Sequence, residues 1–559
     1  MSEMVIDNKI KENKLGVMPI PKLLLTMSLP AIFSMLVLSL YNIVDSLFVA
    51  KVSGLALDAV SFAFPLQQIM LAFSLGVGVG TSTIVARRLG EKNKADADTL
   101  AQTGFKMAII TTIFFMILGS FLPKLFMQIF TANEQIVNMG TQYLTICMVC
   151  CFGSMIEILF SKVLQATGNM IIPMLSQLLG AVINIIFDPI FIFVCKLGIV
   201  GAGIATVLGQ IISMIFVIVL ASRRRHIIDM FFKNVKISFK KFKEIVRIGL
   251  PVMIMNAVSG IIVIIMNSII IAYSTKAPSA LGVYFKLQSF VFMPIFGLNQ
   301  GALPIMSYNF GANQDKRYKQ TFWLSIIVSL IIMAIGLIIF QLCPEWLIGL
   351  FENSTSEQEI LEYAELLKVG TVTLKVISWS FLFAAVNIIV TTGYQSIGYG
   401  ITSLLMSLLR QVIFILPLAI LFGKLWGLDV LWWSYPLSDI LVMLIFTPYY
   451  FFAVKKAFAK RKIAQAVPEN QELENIADKA AIESNINDCL ATEEALIVAD
   501  TMGNESVEEE QLGDMSEECL DNAESCDAKK RKLWQYNCLN WNKILMLNLS
   551  FDVLIVSWI

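Results

Sequence analysis

Between about residue 23 and residue 453 the chain alternates long apolar runs with short polar stretches. Two of the runs, Met107–Leu122 and Ile204–Ala221, contain no charged residue at all. A run of roughly 20 apolar residues matches the thickness of a bilayer's hydrocarbon layer. The runs lack the period-two alternation of a transmembrane strand, so bundled helices are the way to satisfy their backbone in lipid. The pattern predicts membrane helices near 23–50, 57–86, 100–122, 139–164, 170–195 and 199–222, and a second set near 248–272, 280–306, 320–342, 364–392, 401–422 and 427–453.

The polar stretches are of two kinds. Basic residues collect before the first helix (Lys9, Lys11, Lys14, Lys22), after the second (Arg87, Arg88, Lys92, Lys94) and after the sixth (Arg223, Arg224, Arg225, Lys240, Lys241, Lys243). They collect again after the eighth (Lys316, Arg317, Lys319) and the twelfth (Lys455, Lys456, Lys460, Arg461, Lys462). The connections from odd to even helices are poor in them. Under the positive-inside rule both termini are expected in the cytoplasm, with the helices in a plasma membrane of the bacterial inner-membrane type.

The two sets of helices look alike. Leu29-Pro30 and Leu250-Pro251 are 221 residues apart, as are Phe64, Leu66 and Gln67 from Phe285, Leu287 and Gln288. At the same offset Gly76, Gly80 and Gly90 match Gly297, Gly301 and Gly311. Gln165-Ala-Thr-Gly168 resembles Gln395-Ser-Ile-Gly398 at an offset of 230. Six helices per half and the same order of basic loops make the repeats parallel. The expected fold is an all-α membrane protein of twelve transmembrane helices, in two six-helix bundles related by a pseudo-two-fold axis along the membrane normal. The expected division is a cytoplasmic N-terminus (1–22), an N-lobe (23–222), a basic linker (223–247), a C-lobe (248–453) and a cytoplasmic tail (454–559). Gly76–Gly80 and Gly297–Gly301 are each a GxxxG, which reads first as a site of close helix packing. Pro30 and Pro251 fall in the first turns of the expected helices, where a proline either starts a helix or bends it.

Composition agrees, with 57% hydrophobic and 15% charged residues, against about 25% charged in soluble domains. The zero net charge hides a division. Residues 463–528 hold 19 acidic residues and one lysine, whereas residues 1–462 hold 36 basic residues against 22 acidic. The acidic stretch reads as disordered. The terminal apolar stretch Ile544–Ile559 is short for a span. No cleavable signal peptide is evident. Of the nine cysteines, Cys147, Cys150 and Cys151 share one apolar segment and read as small hydrophobes.

Enzymatic classes find little support. The single histidine, His226, lies in the basic linker, and neither a GxxxxGK[ST] nor a GxSxG occurs. Without an ATPase module, transport would have to draw on an ion gradient. Within the predicted spans the informative residues are Asp45 in the first and Asp188 in the fifth. A carboxylate in hydrocarbon costs about 2.5–3.5 kcal/mol on insertion scales, so it is expected to face a cavity or a partner. Asn184 is four residues before Asp188, on the same helix face. Such carboxylates, with amide and hydroxyl oxygens, can take a proton or a small cation. The seventh helix has no acid and reads Met266-Asn267-Ser268 around the Asp45 equivalent, and the tenth and eleventh lack a central acid, although Arg410 lies in the eleventh. The acidic site is therefore expected in the N-lobe alone.

These residues resemble the multidrug and toxic compound extrusion (MATE) transporters, in particular the DinF-like bacterial branch. The resemblance covers about residues 15–455. It rests on the first-helix stretch with Pro30 and Asp45, Ala63-Phe-Pro65, Gly76–Gly80, the turn Arg87-Arg-Leu-Gly90-Glu-Lys-Asn and its echo Tyr308-Asn-Phe-Gly311-Ala-Asn-Gln-Asp. The resemblance implies an N-lobe cation site at Asp45, Asn184, Asp188 and Thr206, with Tyr143 joining the network and Pro30 as a hinge. Other branches of the family use acids on helices 7 and 10, which this sequence lacks. The implied function is secondary active efflux of amphipathic or cationic organic compounds in exchange for H⁺ or Na⁺. A flippase for lipid-linked sugars is the nearest alternative, and a sensor or scaffold acting through the acidic tail a remote one. No catalytic residue, resident metal or cofactor is expected, apart from Na⁺ as a coupling ion. The expected partners are a small drug-like molecule, the ion and the lipid bilayer, not nucleic acid, with the protein acting as a monomer.

Overall fold

A computed structural model describes residues 13–223, 228–229, 239–350 and 357–462. The first bundle holds α1 (Ile20–Val52), α2 (Gly54–Gly90), α3 (Lys94–Gly119), α4 (Glu134–Val149 and Phe152–Ala166), α5 (Ile171–Val194) and α6 (Gly198–Ser222). The second holds α7 (Phe239–Ile270), α8 (Ala277–Gly311), α9 (Asp315–Leu342), α10 (Glu357–Ile377 and Ser380–Ser396), α11 (Gly400–Trp426) and α12 (Leu428–Lys462). α4 and α10 are bent by 47° and 48°, so the two occupy equivalent places and share a shape. Counting each bent pair as one span gives twelve apolar helices among the described residues. His226, the acidic stretch 463–528 and the terminal apolar stretch lie outside the described residues.

Apolar surface faces outward as well as inward. On α9, Ile327, Ile331, Ile335 and Ile338 are exposed, at the spacing that keeps one helix face toward lipid. Polar residues close the turns between helices. Ser53 alone separates α1 from α2, and its Oγ accepts from the Ala56 N–H at 3.0 Å. Asn93 caps α3 by accepting from the Asp96 N–H at 3.0 Å.

The repeat read from the sequence recurs in the backbone. Gly168 and Gly398 take φ of +90° and +88°, where a Cβ would be strained. In each turn the next residue closes back over the helix end, Asn169 N–H to Leu164 O at 3.0 Å and Tyr399 N–H to Tyr394 O at 2.8 Å. Likewise Lys92 and Asn313 have φ of 59° and 57°. There the matching closures are Asn93 N–H to Arg88 O at 3.0 Å and Gln314 N–H to Asn309 O at 2.9 Å.

The same symmetry governs the seam between the bundles, where α2 packs on α7 and α8, and α8 packs on α1 and α2. A methyl group added at Gly76 would strike Gly249 and Met253 of α7, and one added at Gly297 would strike Ile32 of α1. One added at Gly80 would meet Ile245 and Gly249, and one at Gly301 would meet Ser28. At the end of the seam Gly90 lies against the Tyr308 carbonyl and Gly311 against the Arg87 carbonyl. Ser28 and Gly249, Ile32 and Met253, and Arg87 and Tyr308 are all 221 residues apart, so each contact has its partner across the pseudo-two-fold axis. Both GxxxG runs are therefore packing sites, and what they pack against is the opposite bundle.

Charges clasp this seam at the end that carries the basic loops. Arg88 pairs with Glu91 at 2.9 Å, Asp96 at 2.7 Å and Glu244 of α7 at 3.0 Å. Arg461 of α12 pairs with Glu91 and donates to the Gly311 carbonyl at 2.9 Å. Arg87 donates to the Ser396 carbonyl at 3.0 Å, and the guanidinium groups of Arg87 and Arg461 lie over the Phe310 ring at 5.1 and 5.0 Å. Burial alone would raise the Glu91 pKa, but hydrogen bonds from Arg461 and Arg88 outweigh it and hold the carboxyl below the ordinary glutamate value of 4.5.

Two sequence expectations need correction. Pro30 and Pro251 are not in first turns, because α1 begins at Ile20 and α7 at Phe239. The apolar runs begin later than the helices do, so hydropathy places the prolines too near the start. Both interrupt helix interiors, beside seam residues Ser28 and Gly249. The early start of α7 also makes 239–247, expected as linker, helical.

The seam yields two predictions. Replacing Gly311 with valine overpacks it, at a cost of about 1–3 kcal/mol, which shifts a two-state equilibrium by roughly 5- to 150-fold. Spin labels at Ala95 and Lys316 should show the short inter-bundle distance depleted in that variant. A depressed carboxyl pKa contributes stability above its ordinary value and loses it as pH falls through the lowered one. The same labels should therefore keep the short distance down to about pH 5 and lose it only in stronger acid.

Candidate functional site

α5 carries Asn184 and Asp188 one turn apart, both buried. Pro189 follows and has no N–H to give to the preceding turn. The helix then widens into a π turn over Ile190–Val194, closed by Cys195 N–H to Ile190 O at 2.9 Å. Such widened turns are frequent at functional sites. With its amide nitrogen toward Asp188, Asn184 donates to Asp188 Oδ2 at 2.9 Å and its oxygen accepts from Thr206 Oγ1 of α6 at 3.2 Å. Asp45 of α1 completes the group, its carboxyl lying against that of Asp188. Among the described residues no N–H or hydroxyl reaches the buried Asp45 Oδ1.

The four residues named from sequence are thus in one place, and Tyr143 is in the surrounding shell. Tyr143 is buried, lies within electrostatic reach of Asp45 and shares the Gln67 side chain with Cys147. Tyr41 stands close enough to both carboxyls to feel their charge, one turn before Asp45 on α1. Sequence reasoning passed over Tyr41 and Gln67 as members. The four-residue spacing from Tyr41 to Asp45 was the available signal, whereas Gln67 joins only through the packing of α2 on α4. Pro30 is not part of this group. It lies 15 residues before Asp45, or about 22 Å along the helix, against the seam.

A separate cavity of about 540 Å³ lies between the bundles, walled by α2 and α4 on one side and by α7, α8, α10, α11 and α12 on the other. Phe285, Phe292, Phe296, Met255 and Met293 make much of its wall apolar. Lys162 and Arg410 are its only charged lining residues among those described, and none of Asp45, Asn184, Asp188 and Thr206 lines it. The ion-site candidates and the cavity are distinct places.

The second bundle also holds a buried acid that the sequence analysis did not name, Asp439 of α12. Its carboxylate accepts from Arg410 Nη1 at 3.1 Å and from Asn387 Nδ2 at 3.1 Å. It was missed because its partner is 29 residues away on another helix, with no local pattern to mark the pair. Arg410 lies in a second widened turn, Leu409–Ile415. The N-lobe also holds a buried acid that the sequence reading did not name, Glu157 of α4, which accepts from Ser161 Oγ at 2.6 Å and lies beside Ser176 of α5, whose own hydroxyl donates to the Ser213 carbonyl at 3.0 Å. Glu157 and Lys162 both lie in the predicted span 139–164, as visible there as Asp188 is in its own, but the sequence does not show which of them faces the cavity.

Known proteins share this architecture. The chain is 25% identical over 419 residues to the multidrug export protein MepA of Staphylococcus haemolyticus (strain JCSC1435), a match covering 75% of this chain and 90% of that one. Among solved structures, the fold resembles that of a MOP superfamily transporter from Pyrococcus furiosus Vc1 (DSM3638), whose binding pocket is described as of reverse polarity and suggestive of a different function, with a TM-score of 0.75 and 22% identity over 80% of this chain and 98% of that one. It also resembles a multidrug resistance MATE family transporter in its outward-facing conformation, with a TM-score of 0.74 and 22% identity over 80% and 98% of the two chains. The MatE family model matches residues 30–190 and 251–421, one stretch in each bundle and together more than half of the chain. The protein is therefore a multi-span membrane transporter belonging to the MatE family.

Proposed function

We propose that the protein is a secondary active antiporter that exports amphipathic organic compounds in exchange for H⁺ or Na⁺. One observation carries the reading, the meeting of the Asp45 and Asp188 carboxyls inside the first bundle. Two carboxylates in contact, in a place poor in water, cannot both keep their charge unopposed. A proton shared between them, or a cation beside them, resolves the conflict. Hard oxygen ligands suit Na⁺, and the Asn184 amide and Thr206 hydroxyl could add to the carboxylates.

Coupling requires the ion to bind the two transport states unequally. α1 supplies a physical link, because Asp45 lies toward one end of it and Ser28 and Ile32, which meet α8, toward the other. Pro30 stands at the seam end, between Ser28 and Ile32, where the missing N–H makes bending cheaper. Occupation of the carboxyl pair would change the shape of α1, and so the fit of the seam. With the basic loops in the cytoplasm, the clasped end is the inner one, and the arrangement is the outward-facing state. The cargo would enter the cavity between the bundles, whose volume and apolar walls suit a drug-sized molecule. The MepA relatives are multidrug exporters, which supports this class of cargo. The flippase reading asks for a strongly cationic cavity; among the described lining residues there are two cations, Lys162 and Arg410, and Arg410 is paired with Asp439, which argues against it.

In proteoliposomes with separately imposed proton and sodium gradients, dye export should follow one gradient. Changing Asp45 or Asp188 to asparagine should cut gradient-driven export at least about tenfold, the equivalent of roughly 1.4 kcal/mol, while the helical circular dichroism is kept. Export by both variants at the native rate would sink the proposal.

A further inference from the structure

Lys162 projects from α4 to the wall of the cavity. Its amine donates to Gln300 Oε1 of α8 at 2.9 Å and to Gln165 Oε1 at 3.3 Å. Gln300 Oε1 also accepts from Gln165 Nε2 at 3.3 Å. Both acceptors are neutral amides, which orient the amine without cancelling its charge. No carboxylate forms an ion pair with it among the described residues. The acid that bears on it, Glu157, accepts from Ser161 and is not among the residues lining the cavity. Arg410, the other cation of the wall, differs because Asp439 balances it. The cavity therefore presents one uncompensated cation, held in place by two glutamines from opposite bundles and flanked by apolar wall.

An isolated charge away from water is costly unless a counter-charge reaches it. Among the described residues the wall offers none, and no aspartate or glutamate among them lines the cavity to receive a cationic cargo. We infer that the cavity takes amphipathic molecules carrying an anionic group, a carboxylate, sulfonate or phosphate, and that Lys162 selects for that charge. The inference rests on the reading of this cavity as the cargo site and replaces the cationic cargo expected from sequence. Gln300 belongs to α8 and Lys162 to α4, so an anion that draws the amine away from Gln300 would also alter a contact between the bundles.

A matched probe pair tests it. Dansylglycine and dansyl-ethylenediamine share an apolar body and carry opposite charges. Their affinities for the full chain in nanodiscs can be read from dansyl fluorescence, with empty nanodiscs as background. The wild type should prefer dansylglycine. Lys162→Gln should lower the anion-to-cation affinity ratio by about tenfold or more, since hydrogen bonds to charged groups are worth more than neutral ones, and Lys162→Arg should restore it. Reading a ratio separates charge selection from a general loss of fold. Preference for the cation in the wild type, or an unchanged ratio in Lys162→Gln, overturns the inference and leaves antiport standing. Binding of neither probe overturns both this inference and the assignment of the cavity as the cargo site. Because the measurement needs no gradient, failure of ion coupling cannot produce either result.

Discussion

Hydrocarbon offers no hydrogen bonds and no counter-ions, and this constraint shapes both halves of the molecule. Backbone groups are closed within helices, and lipid-facing positions such as Ile331 and Ile335 are apolar and exposed. Where two bundles must meet without a hydrophobic driving force between them, contact depends on how closely their backbones approach. The glycines at 76, 80, 90, 297, 301 and 311 allow that approach, and each would clash if it gained a Cβ. Where a charge enters the bundle it comes with company: Asp439 with Arg410 and Asn387, Glu157 with two serines, Asp188 with Asn184 and Asp45. Lys162, at the cavity wall, is held by the amide oxygens of Gln165 and Gln300.

Symmetry and asymmetry divide the work. The seam is built from pairs related by the pseudo-two-fold axis, so neither bundle is distinguished in those contacts. The buried acids break the symmetry. At the 230-residue offset Glu157 corresponds to Asn387, so the same place on the bent helix holds an acid in one bundle and an amide in the other. The touching pair, Asp45 with Asp188, belongs to the first bundle. Its helix α1 also reaches the second bundle through Ser28 and Ile32, so the carboxyl pair and the seam contact share one helix.

Much of this was legible in the chain. Apolar run length gave the helices, and the offsets of 221 and 230 marked the repeat that reappears in the paired turns at Gly168 and Gly398. Asp45, Asn184, Asp188 and Thr206 were named before their geometry was known, the first three because acids and amides are conspicuous in apolar runs. What escaped was long-range or local in the wrong way. Arg410 and Asp439 are joined only by the packing of α11 on α12. Glu157 and Lys162 share one apolar run, and only the packing of the helices decides that Lys162 reaches the cavity wall and Glu157 does not. The prolines were misplaced because a helix starts in interfacial polar residues, before hydropathy rises. The cavity charge could not be read at all, since it depends on which faces of seven helices turn inward.

The central claim is that occupation of the Asp45–Asp188 pair is felt at the seam. The most direct measurement is the distance distribution between spin labels at Ala95 and Lys316, followed while Na⁺ is varied at fixed pH and while pH is varied between about 8 and 6, where Glu91 stays ionised. The account predicts that one of the two ions redistributes short and long distances, and that Asp188→Asn removes the response. A distribution that ignores both ions, or that still responds in Asp188→Asn as it does in the native chain, would contradict it.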